Sequence, residues 1–500
     1  MALNAQSRIY LHLLQNTTLI VLALIFTPLC TLIAIASSLF SPYTVAGKQI
    51  EDRRKWKQSS PTFRPRIVLV SGVGMAKGLA IARAFHREGH TVIGADFEPN
   101  QIPVSGRFSR SLHKFYQLPK SSPSDASSYI DGLINIIKNE HVELWVSCSG
   151  VASAVEDGHA ADAIRKLTPC KTIQFGASLT ETLHGKHSFI ESCRKMGLNA
   201  PTTQLITSVE DAVLFLHQQP DTEAKKQFIV KSVGLDDAVR ADMTLLPRGS
   251  VEETRKHISR LSPSAFNSFV LQQFISGPEY CTHSIVIRGK VRAFTSCESA
   301  GILMHYKALP IDSELAQAML KYTQIYAANT GRDMTGHFSM DFLVESDGRG
   351  RKLDLIERIY PIECNPRAHT AVLLFENDSK GMVEAYLSLL DSCGEGMEMS
   401  ICTPTSTNGY FWVGHDLVEH IISPFWNFVN LRCTSPSMIN QWMIFVKHIL
   451  SGKEGTFVVW DPWPAWWLYC VYWPLTFTVT ISKRSWWSKC NVSTNKLFRC

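Results

Sequence analysis

The stretch Gly336–Ala371, "GHFSMDFLVESDGRGRKLDLIERIYPIECNPRAHTA", decides how the chain is read. "FSMDFLVE" has the apolar make-up of a strand and carries Asp341. Asp347, Gly348 and Gly350 then offer a turn. Glu363 and Asn365 stand two apart, so on a strand both side chains point to one face. If the two strands pair, Asp341, Glu363 and Asn365 converge. Two carboxylates and an amide oxygen are hard ligands that suit Mg²⁺ held jointly with nucleotide phosphates. Arg367 follows two residues on, where a guanidinium can stabilise a transferred phosphoryl group or an anionic intermediate. Acidic residues beside a hairpin are also common solvated features. Glu357 is a rival ligand, without an Asn two residues later.

Upstream, "LHGKHSFIESCRKMGLNAPTT" places Lys186 at a helix start, and "FIVKS" ends a strand on Lys231. Two lysines on separate elements could flank a triphosphate as point charges. Each alone reads as a surface lysine. "VLQQFISGPEY" gives a strand, a turn at Gly277-Pro278, and Glu279 placed to accept from ribose hydroxyls.

Outward from these segments the texture changes. Between about 186 and 390, short strands alternate with turns and with helices near 208–218, 251–261 and 312–329, a pattern for an α+β pair of antiparallel sheets. Before it, "RIVLV", "TVIGAD" and "VELWVSCSG" alternate with helical patterns at 77–88 and 126–139, which predicts a parallel α/β sheet. "SGVGMAKGLAIARAF" looks there like a dinucleotide turn, with Asp96 ending the next strand. Gly72 and Gly74 fit, but Lys77 holds the third glycine's position and Gly78 is one residue late. A membrane-anchored NAD(P)-dependent oxidoreductase is therefore a rival reading. The alternative is a turn that holds no dinucleotide, its helix N-terminus facing an acceptor's anionic group.

The two ends are apolar. Thr17 to Phe40 contains no charge and is long enough to span a bilayer; Pro28 would kink it. Lys48, Arg53, Arg54, Lys55 and Lys57 follow, which puts the later residues on the cytoplasmic side. "KQSSPTFRP" reads as a linker. Trp463 to Ile481 is rich in Trp and Tyr; its prolines argue against a clean spanning helix. It suits either the membrane interface or a cap on the catalytic domain. The expected division is 1–60 anchor and basic linker, 61–180 leading domain, 181–395 catalytic domain and 396–500 extension. A net charge of +6 with no basic stripe interleaved with aromatics makes nucleic acid a poor partner and favours anionic small molecules. Thirteen scattered cysteines fit reduced thiols in a cytosol-like compartment.

The ordered set of leading domain, Lys186, Lys231, "SGPE", Asp341 and E-x-N-x-R resembles the ATP-grasp superfamily. In it a Rossmann-like domain precedes two α+β subdomains that clamp ATP. The resemblance implies that Lys186 and Lys231 contact ATP phosphates and Glu279 the ribose. It also implies that Asp341, Glu363 and Asn365 bind Mg²⁺ or Mn²⁺, with Arg367 at the reacting group. "IECNPRAHTA", "EYCTHS" and the apolar ends are similar to mycosporine-glycine synthase and related natural-product ligases, which join an amino acid to a cyclohexenone through a phosphorylated intermediate. The activity implied is a C–N ligase of secondary metabolism using ATP, an amino acid and a small acceptor; a non-catalytic ATP-binding scaffold is the other alternative. Three features depart from the pattern: His184 precedes Gly185-Lys186 where an aspartate is usual, Gln272-Gln273 stand on the adenine side where a Glu is usual, and the loop after Lys231 is not glycine-rich. Arg240 is a possible phosphate contact in that loop. His283 and His369 are candidates to orient substrate or to accept the amine's proton.

Overall fold

The computed structural model describes the chain except for residues 1–6, 121–125, 149, 151–152, 219–225, 233–241, 300–303, 347–353, 392–398, 407 and 500. The expected turn at 347–350 and Arg240 therefore lie outside the described residues.

Helix α1 (Ile9–Phe40) has 32 residues and no charged group in its first or last turn. At about 1.5 Å per residue it exceeds the roughly 30 Å of a bilayer's hydrocarbon core. It is the one helix among the described residues long and apolar enough to cross a membrane. It begins before Thr17, and the buried Asn16 of its early turns is satisfied on both sides. Asn16 donates to His12 O at 2.7 Å and accepts from the Trp487 indole at 3.0 Å. Helix α2 (Val45–Ser59) opens on Thr44, whose hydroxyl accepts from Gly47 N at 3.1 Å. The basic flank is therefore helical and the linker shorter than its composition suggests. Arg53 and Lys57 reach a carboxylate with no exposure, Glu88, at 2.9 and 2.5 Å. Two of the charges read as a membrane signal thus also neutralise a buried acid.

The leading sheet is parallel, in the order β3-β2-β1-β4-β5. Its strands are β1 (Ile67–Ser71), β2 (Thr91–Asp96), β3 (Lys114–Gln117), β4 (Leu144–Ser147) and β5 (Lys171–Ile173). Helices α3 (Ala76–Arg87), α4 (Ser127–Asn139) and α5 (Ala154–Leu167) are the crossovers. Near-continuous burial along β1, β2 and β4 is what a sheet covered on both faces demands.

Helices α6 (Ala177–His184) and α7 (Lys186–Lys195) lead into two antiparallel sheets. The first joins β6 (Thr203–Ile206), β7 (Phe228–Ser232) and β8 (Phe269–Gln273) in the order β6-β8-β7, with α8 (Val209–His217) and helix Val251–Ser259 beside it. The second contains β9 (Glu279–Ile287), β10 (Lys290–Glu298), β11 (Gly336–Val344) and β12 (Ile359–Asn365), ordered β10-β9-β11-β12. Helix Glu314–Thr330 closes that core with Tyr322 and Tyr326 packed among Phe338, Phe342 and Phe189. A parallel α/β unit followed by two α+β sheets is the order the sequence predicted.

The aromatic tail is helical despite its prolines. Pro464 sits in the first turn of Trp463–Trp467, where no amide donor is needed, whereas Pro474 follows the π-helical segment Leu468–Tyr472, which carries the helix without a break into Trp473–Ser482. One side meets α1, where the Trp466 indole donates to Thr31 Oγ1 at 2.8 Å. The other meets the leading sheet's surround, where Trp467 stacks on Phe108 at 3.9 Å and donates to Pro103 O. Arg83 of α3 and Asp461, a buried ion pair at 2.9 Å, pin the start of this segment.

Candidate active site

Strands β11 and β12 pair antiparallel, with Asp341 opposite Glu363 and Ser339 opposite Asn365. A register shift follows between Asp341 and Phe342, beside the site. On the other side Asp341 lies opposite Cys281 of β9. One sheet face therefore presents Cys281 and His283, then Ser339 and Asp341, then Glu363 and Asn365. Glu357 falls instead on the short helix Leu355–Arg358 and is exposed. The deciding stretch thus converges as its spacing predicted.

Asn365 Nδ2 donates to Asp341 Oδ2 at 3.1 Å, and Arg367 Nη2 donates to Asn365 Oδ1 at 2.8 Å. The set is an ordered chain from carboxylate through amide to guanidinium. Asp341 is 9% exposed, and burial, then the charge of Glu363, pushes its carboxyl well above the usual range. Two acids held side by side against that repulsion fit a divalent cation, which would remove it. To join them as a ligand, Asn365 must present Oδ1 in place of the NH₂ it now gives Asp341.

Cations from other elements face this pair. Lys231, opposite Val270 on the smaller sheet, is pulled down to about 8, by burial first, with Glu363, Glu279 and Asp341 pulling it back and Lys186 adding to the fall. Lys186 opens α7 and is half-buried. The imidazole of His184, just before it, is lowered by burial and then by Arg367. In the unusual triplet His184-Gly185-Lys186, burial and the Arg367 charge thus both disfavour a charged ring. Glu279, at the start of β9, is exposed and accepts from Ser299 Oγ at 2.8 Å.

The two glutamines have work of their own. Gln272 is 1% exposed and donates to Ile362 O of β12 at 3.3 Å, while Gln273 Oε1 accepts from Thr202 N at 3.1 Å. Gln272 thereby ties the small sheet to the large one behind the carboxylates. His283 is wholly buried; its Nδ1 meets Ser339 Oγ and the His369 amide, both at 3.4 Å. His369 is 5% exposed, and burial then Arg367 lower its imidazole to about 3. It caps the turn that begins at Thr370, and lies with Cys281 and Asp341 in a group whose ligand atoms are within 4.8 Å of one another. His369 borders the carboxylates, and His283 supports it from behind.

The glycine turn is resolved by its own neighbours. Gly72 has φ +75, which favours glycine, and an added Cβ at Gly78 would lie 2.3 Å from Gly72 O. The late glycine thus permits the close helix–strand packing expected of the third position. Asp96 accepts from Gly74 N at 2.8 Å, so its carboxylate serves the turn. The C-terminal hairpin lies across the helix start, with Ala76 N donating to Ser493 O at 2.9 Å and Asn495 Nδ2 to Gly74 O at 2.8 Å. This overturns both expectations for the turn. The chain's own tail takes the position that a dinucleotide's pyrophosphate or an acceptor's anionic group would need.

Lys77, the misfit in the motif, is the functional candidate that sequence reasoning missed. It is 1% exposed, and its Nζ donates to Ala368 O at 2.9 Å, in the loop between Arg367 and His369. Burial, then Arg367, lowers its amine to about 7. A lysine in place of a motif glycine was the available signal.

No protein-family model matches the chain and no curated protein matches it. Among solved structures it is similar to an L-amino acid ligase from Bacillus licheniformis, 16% identical over 61% of this chain and 68% of that one, at TM-score 0.40. It is also similar to N5-carboxyaminoimidazole synthetase from Staphylococcus aureus, 13% identical over 64% and 77%, at TM-score 0.45. A third is the biotin carboxylase domain of a Hydrogenobacter thermophilus 2-oxoglutarate carboxylase with MgADP, ADP and bicarbonate, 12% identical over 68% and 71%, at TM-score 0.48. With identities and TM-scores this low none of them fixes the chemistry, which rests on this chain's own residues.

Proposed function

We propose that the chain is an ATP- and Mg²⁺-dependent ligase of the ATP-grasp type that forms a C–N bond between an amino acid and a phosphate-activated acceptor. The observation that carries this is the Asp341–Glu363 pair, a buried acid and a half-buried one set opposite each other across β11 and β12 and faced by Lys231 from the smaller sheet. In this reading Asp341, Glu363 and Asn365 hold Mg²⁺, or Mn²⁺ in its place, which supplies charge neutralisation at the phosphates. Lys186 and Lys231 hold ATP phosphates, Glu279 meets the ribose, and Gln272 and Gln273 border the adenine side. Arg240 remains a proposed phosphate contact from outside the described residues.

An oxygen of the acceptor, a carboxylate or its vinylogous enolate, attacks the γ-phosphorus, and ADP leaves. The amino acid's amine then adds to the activated carbon, phosphate departs with the acceptor oxygen, and the amine gives up a proton. Arg367 neutralises the developing charge, while Lys77 and His283 position the loop that carries Arg367 and His369. His369, neutral through the working pH range, orients the acceptor. A cyclohexenone acceptor of the mycosporine type, in a secondary-metabolite pathway, is the finer reading, carried by the sequence resemblance. Helix α1 anchors the enzyme to a membrane as a single pass, with the catalytic body in the cytoplasm.

Mass spectrometry of products tests the proposal, with full-length protein, ATP, Mg²⁺, 4-deoxygadusol and a mixture of amino acids. An amino-acid adduct with equimolar ADP is expected. Adduct formation without ATP, or release of AMP and pyrophosphate, would overturn it.

A further inference from the structure

A second constellation lies away from the carboxylate pair, where the C-terminal extension meets the catalytic body. Asp416 ends the helix Val413–Asp416, and His420 stands four residues on, in the π-helical segment Leu417–Ile422 that continues it. Positions i and i+4 share a helical face. His448 comes from the last turn of helix Ser435–Ser451. His305 arrives from the body, just before Tyr306, whose backbone pairs with Tyr410. Three separate segments thus bring three imidazoles to one carboxylate, and their ligand atoms all lie within 4.8 Å of one another.

Hydrogen bonding within the group is incomplete. Asp416 has no exposure; Oδ2 accepts from His448 Nδ1 at 2.6 Å. His305 Nε2 stands 2.8 Å from Asp416 Oδ1 without the alignment of a hydrogen bond, so both buried atoms lack one. Buried polar atoms are rarely left so. His420 Nδ1 meets Gln441 Oε1 at 2.8 Å, which fixes the ring and leaves Nε2 to face inward. The His415 ring flanks His305 at 6.1 Å.

We propose that His305, Asp416, His420 and His448 form a closed four-ligand site for a divalent transition-metal ion, with Zn²⁺ the best fit. Three imidazole nitrogens and one carboxylate oxygen suit zinc, whereas Mg²⁺ and Ca²⁺ take oxygen donors. Four protein ligands leave no open position, which marks a structural site. Ligands in a zinc tetrahedron at about 2.0–2.1 Å stand roughly 3.3 Å apart, so the 2.6 and 2.8 Å contacts to Asp416 would open and the wider separations, up to 4.8 Å, would close around an ion. An ion there staples the helical pair 417–451 to the segment carrying Tyr306, whose ring packs on His369 at 5.7 Å. The site needs no nucleotide and is independent of the ligase reading.

The test uses the full-length protein in detergent, purified without chelator. Elemental analysis should find about one zinc per chain, and chelator should lower Tm, with Zn²⁺ but not excess Mg²⁺ restoring it. His420→Gln and His448→Gln should each weaken zinc binding at least tenfold. Co²⁺ in the stripped wild type gives a second readout that does not depend on the variants folding. Intense visible bands of tetrahedral Co²⁺ are expected. Absence of stoichiometric metal together with no Zn²⁺-dependent change in Tm would overturn the proposal, as would weak octahedral Co²⁺ bands or variants that bind zinc like the wild type.

Discussion

Lys77→Met probes the contact between the leading sheet and the Arg367 loop. In the wild type the Lys77 amine is buried and lowered to about 7, by burial first and then Arg367. In the unfolded chain it returns to about 10.4. Between those values the unfolded state binds a proton that the folded state does not, so this group makes stability rise as pH rises from 7 towards 10. At about 1.4 kcal/mol per unit, the contribution over that window is on the order of 4 kcal/mol. Buried thiols such as Cys148, raised to about 12 by burial, act in the opposite sense over the same range. The difference between variant and wild type is therefore the quantity to read. Methionine keeps the stem's packing and removes the titration, but leaves the Ala368 carbonyl without its donor, at about 1–3 kcal/mol. Denaturant unfolding at pH 7, 8.5 and 10 should show the variant falling progressively behind the wild type as pH rises, by about 4 kcal/mol across the window. Acceptor KM should rise as well, because the loop carrying Arg367 and His369 loses its tie. Parallel stability curves across that range would refute a buried, depressed amine at this contact.

Glu363→Gln should abolish ADP formation, by about 10²–10³-fold or more, yet raise Tm slightly in the absence of nucleotide, because the repulsion on Asp341 is relieved; calorimetry and a coupled ADP assay read the two signs. Gly78→Ala should cost about 1–3 kcal/mol in urea unfolding, since its Cβ would meet the Gly72 carbonyl and backbone must shift. Arg83→Met removes the ion-pair partner of the Asp461 carboxylate, which has no exposure and keeps only its bonds from Ser109 Oγ and Arg110 N, and should cost about 3 kcal/mol. Limited proteolysis should then cut first near 455–465.

The strand pair at Asp341 and Glu363 was legible because a two-residue spacing fixes a shared face, and the same logic placed Asn365. Lys231 was legible as the end of a strand, although its partner sheet was not. What stayed hidden depends on contacts between distant segments. No local pattern tells that residues 493–495 cover the glycine turn, or that Gln272 reaches β12. Short strands such as β3, only half-buried, lack the apolar run that marks β1. The prolines of the aromatic tail read as breakers, whereas Pro464 falls in a first turn and Pro474 follows a π-helical segment, both compatible with helix. Lys77 shows the limit of motif reading: its place was noted as a missing glycine, and its charge carried the information.

Equilibrium binding of ATP tests the central claim most directly, because it needs no knowledge of the acceptor. If Asp341, Glu363, Lys186 and Lys231 form one site, titration calorimetry should show ATP binding that needs Mg²⁺ and weakens at least tenfold in Glu363→Gln. NADH should give no heat. Mg²⁺-independent ATP binding unaffected by Glu363→Gln, or binding of NADH in its place, would contradict the account.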